Sequence, residues 1–295
     1  MSYNIDELVE IISKRVAEKL NSLEAKSGSD CSCSKDSCTN CGLCVLKKPD
    51  AVSSIVDSGA ARISASSGIN SQIDMKLAHM IDHTILKPEA TREELTKICD
   101  EARKYNFATV CVNSSNIPFV ARMLKGSGVK PIAVVGFPLG AASSHTKSFE
   151  SKEAISAGAE EIDMVINIGA LKSKDYKTVY NDIKEVVEIS KPYPVKVILE
   201  TSDINNDEKI IACALSKTAG AAFVKTSTGF GKGGATVEDV ALMRRIVGDD
   251  MLVKASGGIR SKEDAESMGK AGANRIGASA SVAIVTGKSA ATGKY

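Results

Sequence analysis

Residues 161–202 read EIDMVINIGALKSKDYKTVYNDIKEVVEISKPYPVKVILETS. The runs at its two ends, EIDMVINIG (161–169) and YPVKVILETS (193–202), are rich in valine and isoleucine and predict buried β-strands. Between them, DYKTVYNDIKEVVEISK (175–191) is an amphipathic stretch of helical length. A strand, a helix and a second strand in this order predict two parallel strands joined by a crossover helix.

The same alternation extends from about Met75 to the end of the chain. The β-rich runs are residues 79–86, 108–113, 130–138, 161–169, 193–202, 221–229, 251–259 and 274–279, and further helices are predicted at 91–105 and 148–159. Eight such units in about 225 residues predict an α/β protein with a (β/α)8 TIM barrel. The alternative is an open doubly wound sheet, but no G-x-G-x-x-G follows the first strand.

The composition of the chain excludes several classes of protein. The 295 residues include 38 basic and 36 acidic side chains, a net charge of +2, and 43% are hydrophobic. A dedicated nucleic-acid-binding protein would carry a basic excess. No apolar run approaches the roughly 18–20 residues that cross a bilayer, and the N-terminus lacks the pattern of a signal peptide. We therefore expect a soluble, cytoplasmic protein with no nucleic-acid or membrane partner.

The N-terminal part of the chain differs in composition and hydrophobic periodicity from the predicted barrel. Residues 1–22 contain a predicted amphipathic helix, residues 23–72 a flexible linker rich in Ser, Gly, Lys, Asp and Ala, and residues 73–295 the barrel. The apolar positions that form one stripe on the helix are Ile5, Leu8, Val9, Ile12, Val16 and Leu20. The helix is thus predicted to be tethered to the barrel by the linker.

Polar residues fall where the predicted strands end, which is the face of a (β/α)8 barrel that carries active sites. Asp163 and Asn167 belong to the fourth run, Glu200 ends the fifth, and Lys225 and Lys254 lie within the sixth and seventh. Two ammonium groups on neighbouring strands lower the pKa of one amine, so that it can form a Schiff base with a carbonyl. The alternative is a structural ion-paired cluster of Lys225, Lys254 and Asp163.

Two glycine-containing segments follow the last two predicted strands. Gly257 and Gly258 follow the seventh, and Gly277-Ala278-Ser279 follows the eighth. Loops after the seventh and eighth strands of such barrels commonly bind phosphate through backbone N–H groups. The alternative is that these glycines serve only the backbone geometry of tight turns.

Seven motifs, in order, resemble those of the deoxyribose-phosphate aldolase family of class I aldolases. They are DHTILKP (82–88), GFPLG (136–140), EIDMVINIGALK (161–172), VKVILET (195–201), FVKTSTGFG (223–231), VKASGGIR (253–260) and RIGAS (275–279). The resemblance implies that Lys225 is the Schiff-base lysine, Lys254 the proton-transfer lysine, and Asp163 the acid/base that acts with a water molecule. It also implies that the C-terminal Tyr295 reaches the site as a proton relay.

The resemblance implies reversible cleavage of 2-deoxy-D-ribose 5-phosphate to D-glyceraldehyde 3-phosphate and acetaldehyde, without a metal or other cofactor. The residues expected to hold the phosphate are Gly229, Gly257, Gly258, Gly277 and Ser279. Ala280 stands where many relatives have a second serine, which puts one phosphate hydrogen bond in doubt. The alternatives are a Schiff-base aldolase for another sugar phosphate and a non-catalytic barrel used as a scaffold.

The cysteines fall into two groups. Five in the linker, Cys31, Cys33, Cys38, Cys41 and Cys44, form C-x-C-x4-C-x2-C-x2-C and are candidates for a zinc or Fe–S site. The alternative is a redox-sensitive linker without a metal. Cys99, Cys111 and Cys213 fall in predicted helices and strands, where buried reduced thiols are the default. The three histidines lack metal-binding spacing, and His83 is expected to line the pocket.

The helix at 4–20, with its linker, resembles the encapsulation peptides that carry enzymes into bacterial microcompartments. The resemblance implies that its apolar stripe docks on a shell protein. A membrane-surface helix and a self-associating helix are the alternatives, and three basic residues against four acidic ones disfavour a lipid-binding face. We expect the enzyme itself to be a homo-oligomer of unspecified size.

Overall fold

The computed structural model describes residues 74–287. The predicted helix at 4–20, the linker cysteines and Tyr295 lie outside these residues. The described part of the chain forms eight strands: β1 Ile81–Thr84, β2 Thr109–Asn113, β3 Lys130–Val135, β4 Glu161–Val165, β5 Val195–Ile198, β6 Phe223–Lys225, β7 Leu252–Ser256 and β8 Arg275–Ala278. Every neighbouring pair is parallel, and β8 pairs with β1 to close the barrel. The predicted (β/α)8 barrel is confirmed, and the open sheet is excluded.

Helices alternate with the strands. They are α1 Met75–Ala78, α2 Arg92–Tyr105, α3 Ile117–Leu124, α4 Ser144–Ser156, α5 Ile168–Lys172, α6 Tyr176–Ser190, α7 Asn206–Thr218, α8 Val237–Val247, α9 Lys262–Lys270 and α10 Ser281–Thr286. Short 3-10 turns occur at Ser114–Asn116 and Thr201–Asp203. The helix that the sequence predicts from 148 begins at Ser144, because Ser143 accepts a hydrogen bond from the backbone N–H of Thr146 and caps it.

The strands are buried on both faces. Every residue of β1, β4, β5 and β6 is buried. Because side chains alternate along a strand, residues two apart share a face. In β4, Ile162 and Met164 face away from the barrel axis, while Glu161 and Asp163 face the interior and pair with cations from other strands. The apolar face packs the sheet against its helices, and the other face brings charged side chains together.

One buried ion pair joins two outer helices. Lys147 of α4 lies 2.6 Å from the Asp182 carboxylate of α6, and both side chains are buried. Lys147 also donates a hydrogen bond to the carbonyl oxygen of Val165 at the end of β4. Burial lowers the pKa of Lys147 and raises that of Asp182, although each group favours the charged form of the other. The pair therefore depends on both partners being present.

Replacing Lys147 with methionine leaves the Asp182 carboxylate buried without a cation. We expect Lys147→Met to lower the free energy of unfolding by about 3–5 kcal/mol, measured by urea denaturation. Lys184→Met is the matched control, because Lys184 pairs with Glu188 on the exposed side of α6 at 2.6 Å. The control should lose far less stability. Equal losses in the two variants would contradict the importance of the buried pair.

Candidate active site

Two lysines lie side by side in the barrel interior. Lys225 is the last residue of β6, and Lys254 lies in the middle of β7. The register of these strands places their Cα atoms opposite each other. Both side chains are buried, with Lys225 1% and Lys254 0% exposed. The structure thus places the two predicted lysines next to each other and out of solvent.

Asp163 of β4 reaches both lysines from across the barrel. Its Oδ2 atom lies 3.0 Å from Lys225 Nζ and 2.7 Å from Lys254 Nζ. Its Oδ1 atom accepts a hydrogen bond of 3.0 Å from Lys196 of β5. A single buried carboxylate therefore contacts the side-chain amines of three lysines. The three predicted residues Asp163, Lys225 and Lys254 form one cluster.

Four further charged residues complete the cluster, and the sequence analysis assigned none of them. Asp82 Oδ2 lies 2.6 Å from Lys254 Nζ, and Asp82 Oδ1 accepts a 2.8 Å hydrogen bond from Arg275 Nε. Glu161 forms ion pairs with Lys196 and Arg275. The sequence does contain a signal for these four residues, because each is a charged residue inside or beside an apolar run that predicts a strand. We call Asp82, Glu161, Asp163, Lys196, Lys225, Lys254 and Arg275 the barrel charge cluster.

The charges of this cluster do not balance when all its basic groups are protonated. Four basic side chains face three carboxylates among the described residues. An excess charge in a buried region is costly, so one basic group is favoured in its neutral form. Arginine stays protonated, which leaves a lysine to lose its proton. With one lysine neutral, three cations face three anions.

The surroundings of the two lysines decide which one is neutral. Burial and the neighbouring Lys254 ammonium lower the pKa of Lys225, and the carboxylate of Asp163 only partly opposes them. Burial also disfavours the charged form of Lys254, but Asp163 and Asp82 outweigh it and raise its pKa. The adjacent cations hold the pKa of both aspartates below the usual value despite burial. Lys225 therefore loses its proton more readily than Lys254 does.

The loops after β6 and β7 are joined above the lysines. Thr226 Oγ1 donates to the carbonyl oxygen of Ser256 at 2.9 Å and accepts from its N–H at 3.0 Å. Gly229, Gly257 and Gly258 have φ angles of +88°, +92° and +79°, which other residues rarely adopt. The backbone and glycines of these loops form a compact surface beside the lysines.

Two buried side chains shape this surface. Among residues 74–287, the Ser227 hydroxyl is buried and has no hydrogen-bond partner, and the Ser227 Cβ atom lies beside Gly257. Glu200, with φ +54°, binds the backbone N–H of Thr228 at 3.1 Å and also its hydroxyl. Glu200 lies two residues beyond β5 rather than ending it. Glu200 thus holds the loop after β6 in place through Thr228.

The remaining predicted phosphate residues occupy different positions. Gly277 lies inside β8 rather than in the loop that follows it. A Cβ atom there would lie 2.5 Å from Ser256 Oγ and 3.1 Å from Lys254 Cε, so the glycine leaves room for the lysine. Ser279 follows β8 and lines a cavity of about 250 Å³ together with Thr84 and Lys87.

Several other predicted residues lie away from the cluster. His83 faces away from the barrel charge cluster, and its Nε2 atom lies 2.8 Å from Glu101 of α2. It lines the same cavity of about 250 Å³ as Ser279, so its place beside the active site stays a prediction. Asn167 lies beyond β4 and caps α5. The three thiols of the described residues, Cys99, Cys111 and Cys213, are buried and unbonded, and burial raises their pKa.

Residues 74–287 contain neither a candidate metal site nor a membrane-spanning helix. Within this range, no three His, Cys, Asp or Glu side chains gather in a way that could hold a metal ion. None of the helices formed there is long and apolar enough to cross a bilayer.

A closed (β/α)8 barrel that holds a buried lysine of lowered pKa beside a second lysine and a carboxylate is typical of enzymes that act on carbonyl compounds. Residues 76–290 match the DeoC/LacD family of aldolases, and the chain belongs to this family. It is 60% identical over 214 residues to the deoxyribose-phosphate aldolase of Clostridium perfringens strain SM101, covering 72% of this chain and 96% of that protein.

Two more relatives agree with this assignment. The deoxyribose-phosphate aldolase of Streptococcus sanguinis strain SK36 is 59% identical over 221 residues, which are 75% of this chain and all of that protein. The solved structure of the tetrameric deoxyribose-phosphate aldolase of Aeropyrum pernix is 34% identical, with a TM-score of 0.68, and covers 72% of this chain and 91% of that one. The chain is therefore an aldolase, a lyase that cleaves a carbon–carbon bond.

The tight packing around Gly277 can be tested by substitution. We expect Gly277→Ala to lower the free energy of unfolding by about 1–3 kcal/mol, because the added methyl group must displace Ser256 and Lys254. Gly269→Ala in α9 is the matched control, since a Cβ atom there meets only Met80 Cε at 3.8 Å. Urea denaturation of both variants checks this, and a stable Gly277→Ala protein would contradict it.

Proposed function

We propose that the protein cleaves 2-deoxy-D-ribose 5-phosphate reversibly to D-glyceraldehyde 3-phosphate and acetaldehyde through a Schiff base on Lys225. The observation that carries the proposal is the environment of Lys225, a buried amine with one shared carboxylate and an ammonium on the neighbouring strand. The substrate is inferred from the names of relatives about 60% identical over the barrel.

The chemistry begins at the neutral Nζ atom of Lys225. The amine adds to the aldehyde carbon of the open-chain sugar, and loss of water gives an imine. The bond between the second and third sugar carbons then breaks, and its electron pair moves toward the imine nitrogen to form an enamine. The hydroxyl on the third carbon loses its proton and becomes the aldehyde of glyceraldehyde 3-phosphate. Protonation of the enamine and hydrolysis release acetaldehyde and free Lys225.

Lys254 and Asp163 move the protons of this sequence. Lys254 is held as an ammonium by Asp163 and Asp82, so it can donate a proton to the departing hydroxyl of the adduct. Asp163 is ionised and touches both lysines, so it can accept a proton with the help of a water molecule. The role of Tyr295 as a relay stays a prediction, since this residue lies outside the described range.

The phosphate is proposed to bind at the loops that follow β6, β7 and β8. Gly229, Gly257 and Gly258 turn the backbone in the loops after β6 and β7. Ser279, the first residue after β8, adds a hydroxyl group. The unpartnered Ser227 hydroxyl is a further donor that the sequence analysis did not assign. Backbone N–H groups and hydroxyls in such loops are the usual phosphate ligands of this fold.

Borohydride trapping tests the Schiff base directly. Acetaldehyde and sodium borohydride should leave an ethyl group on Lys225, located by peptide mass spectrometry. Lys225→Met should lose the adduct and lower kcat/KM for cleavage by more than about 1,000-fold. Lys209→Met is the control, because Lys209 pairs with Asp239 between α7 and α8, away from the cluster. An adduct on another lysine only, or full activity of Lys225→Met, would overturn the assignment.

Rates with other phosphorylated sugars test the substrate separately. A higher kcat/KM for a different sugar phosphate, with Lys225 still trapped, would retain the imine chemistry and reject deoxyribose 5-phosphate as the substrate. Non-phosphorylated deoxyribose should show a raised KM, because it lacks the group that the glycine loops bind.

We further propose that residues 4–20 carry the enzyme into a bacterial microcompartment by docking on a shell protein. The proposal rests on the sequence, which places six apolar residues on one stripe of an amphipathic helix ahead of a long linker. The enzyme is also proposed to form a homo-oligomer, as the Aeropyrum pernix relative forms a tetramer.

Deletion of residues 1–22 tests the targeting proposal. The shortened protein should keep its cleavage activity and lose co-purification with shell proteins. A matched control replaces Glu10 and Lys14 with alanine, which changes charged residues and leaves the apolar stripe intact. Loss of activity on deletion, or unchanged co-purification, would contradict a separate targeting role.

A further inference from the structure

Four members of the barrel charge cluster neither react with the substrate nor move a proton in the proposed reaction. Lys196, Glu161, Asp82 and Arg275 lie at the first or second residue of their strands, toward the end of the barrel opposite the glycine loops. Lys196 is 0% exposed and binds Asp163 and Glu161, and its Nζ atom lies 5.3 Å from the centre of the Phe223 ring. A buried lysine that touches an acid/base residue influences the charge at that residue.

We propose that Lys196 is a positioning residue that acts through Asp163 to keep Lys225 unprotonated. This inference rests on the proposed Schiff-base function of Lys225. Lys196 occupies Asp163 Oδ1, so Lys225 and Lys254 must share Oδ2. Lys254 makes the shorter contact with Oδ2 and has Asp82 as a second anion. The carboxylate of Asp163 is therefore largely neutralised by Lys196 and Lys254, and it does little to stabilise a proton on Lys225.

Charged and titratable side chains enter the barrel interior near Lys225 from six other strands. β4 contributes Asp163 and Glu161, β5 Lys196, β7 Lys254, β1 Asp82 and β8 Arg275; β2 contributes the Cys111 thiol, and the buried positions of β3 are uncharged. Burial raises the pKa of Cys111 to about 11, so the thiol is neutral near pH 7. The charge balance around Lys225 is thus set by the seven-member cluster.

Changing the number of charges should change the protonation of Lys225 in a defined direction. Without Lys196, three cations including protonated Lys225 face three carboxylates, so Lys225 keeps its proton to higher pH. Without the Glu161 charge, four cations face two carboxylates, so Lys225 loses its proton at lower pH. A purely structural role for these residues predicts no such opposite pair of shifts.

The test measures kcat/KM for cleavage and the rate of borohydride trapping against pH in full-length protein. The acidic limb of each profile should report the loss of the Lys225 proton in the free enzyme. We expect Lys196→Met to move this limb by about one unit to higher pH, and Glu161→Gln to move it by about one unit to lower pH. Below the wild-type midpoint, the first shift means roughly ten-fold slower reaction at a given pH.

Two controls separate this effect from a loss of stability. Lys196→Arg keeps the cation and should restore the wild-type midpoint. Lys147→Met removes an equally buried lysine of an ion pair outside the barrel, so it should lose stability without moving the midpoint. If Lys196→Met does not fold, the shift of Glu161→Gln and the recovery in Lys196→Arg carry the test.

The outcomes are distinguishable. Shifts in the same direction, or no shift in folded Lys196→Met and Glu161→Gln, would overturn the role of Lys196 while leaving the Schiff base intact. If wild-type Lys225 is not trapped at all, the proposed function itself fails.

Discussion

The carboxylate of Asp163 is the contact on which the barrel interior depends. It binds Lys196, Lys225 and Lys254 at 2.7–3.0 Å, and all four side chains are buried. Without it, three amines from adjacent strands would face one another in a region of low dielectric constant. Burial alone raises the pKa of a carboxyl group, but these lysines reverse the effect. The closed barrel can therefore hold three lysines in its interior because each of them contacts the carboxylate of Asp163.

The rigid surroundings give this charge arrangement a fixed geometry. Parallel register sets Lys225 beside Lys254, and hydrogen bonds between Thr226 and Ser256 join the loops that follow. Glu200 fixes the next loop through Thr228. Active sites of this fold lie at the carboxyl ends of the strands, where loops vary while the sheet stays constant. Here Lys225 ends its strand, and glycines with positive φ follow β6 and β7 within a few residues.

The barrel and its two lysines were predictable because their signals are local. Valine-rich runs define the strands, and a lysine inside such a run is unusual enough to identify. Lys196, Asp82 and Arg275 carry the same signal, but their partners are as many as 193 positions apart and become neighbours only when β8 closes on β1. The sequence predicts Gly277 in a loop, but the residue lies inside β8. A glycine near the end of a strand can either turn the chain or leave space for a neighbouring side chain, and the sequence does not distinguish the two.

The difference between the two lysines follows from the position of one aspartate. Lys225 and Lys254 are equally buried neighbours, and both contact the same oxygen of Asp163. Lys254 alone reaches Asp82, because β7 is two strands from β1 and β6 is three. The additional anion stabilises the proton on Lys254, and that retained charge in turn disfavours a proton on Lys225. Strand order around the closed barrel therefore determines which of the two lysines has the lowered pKa and which has the raised one.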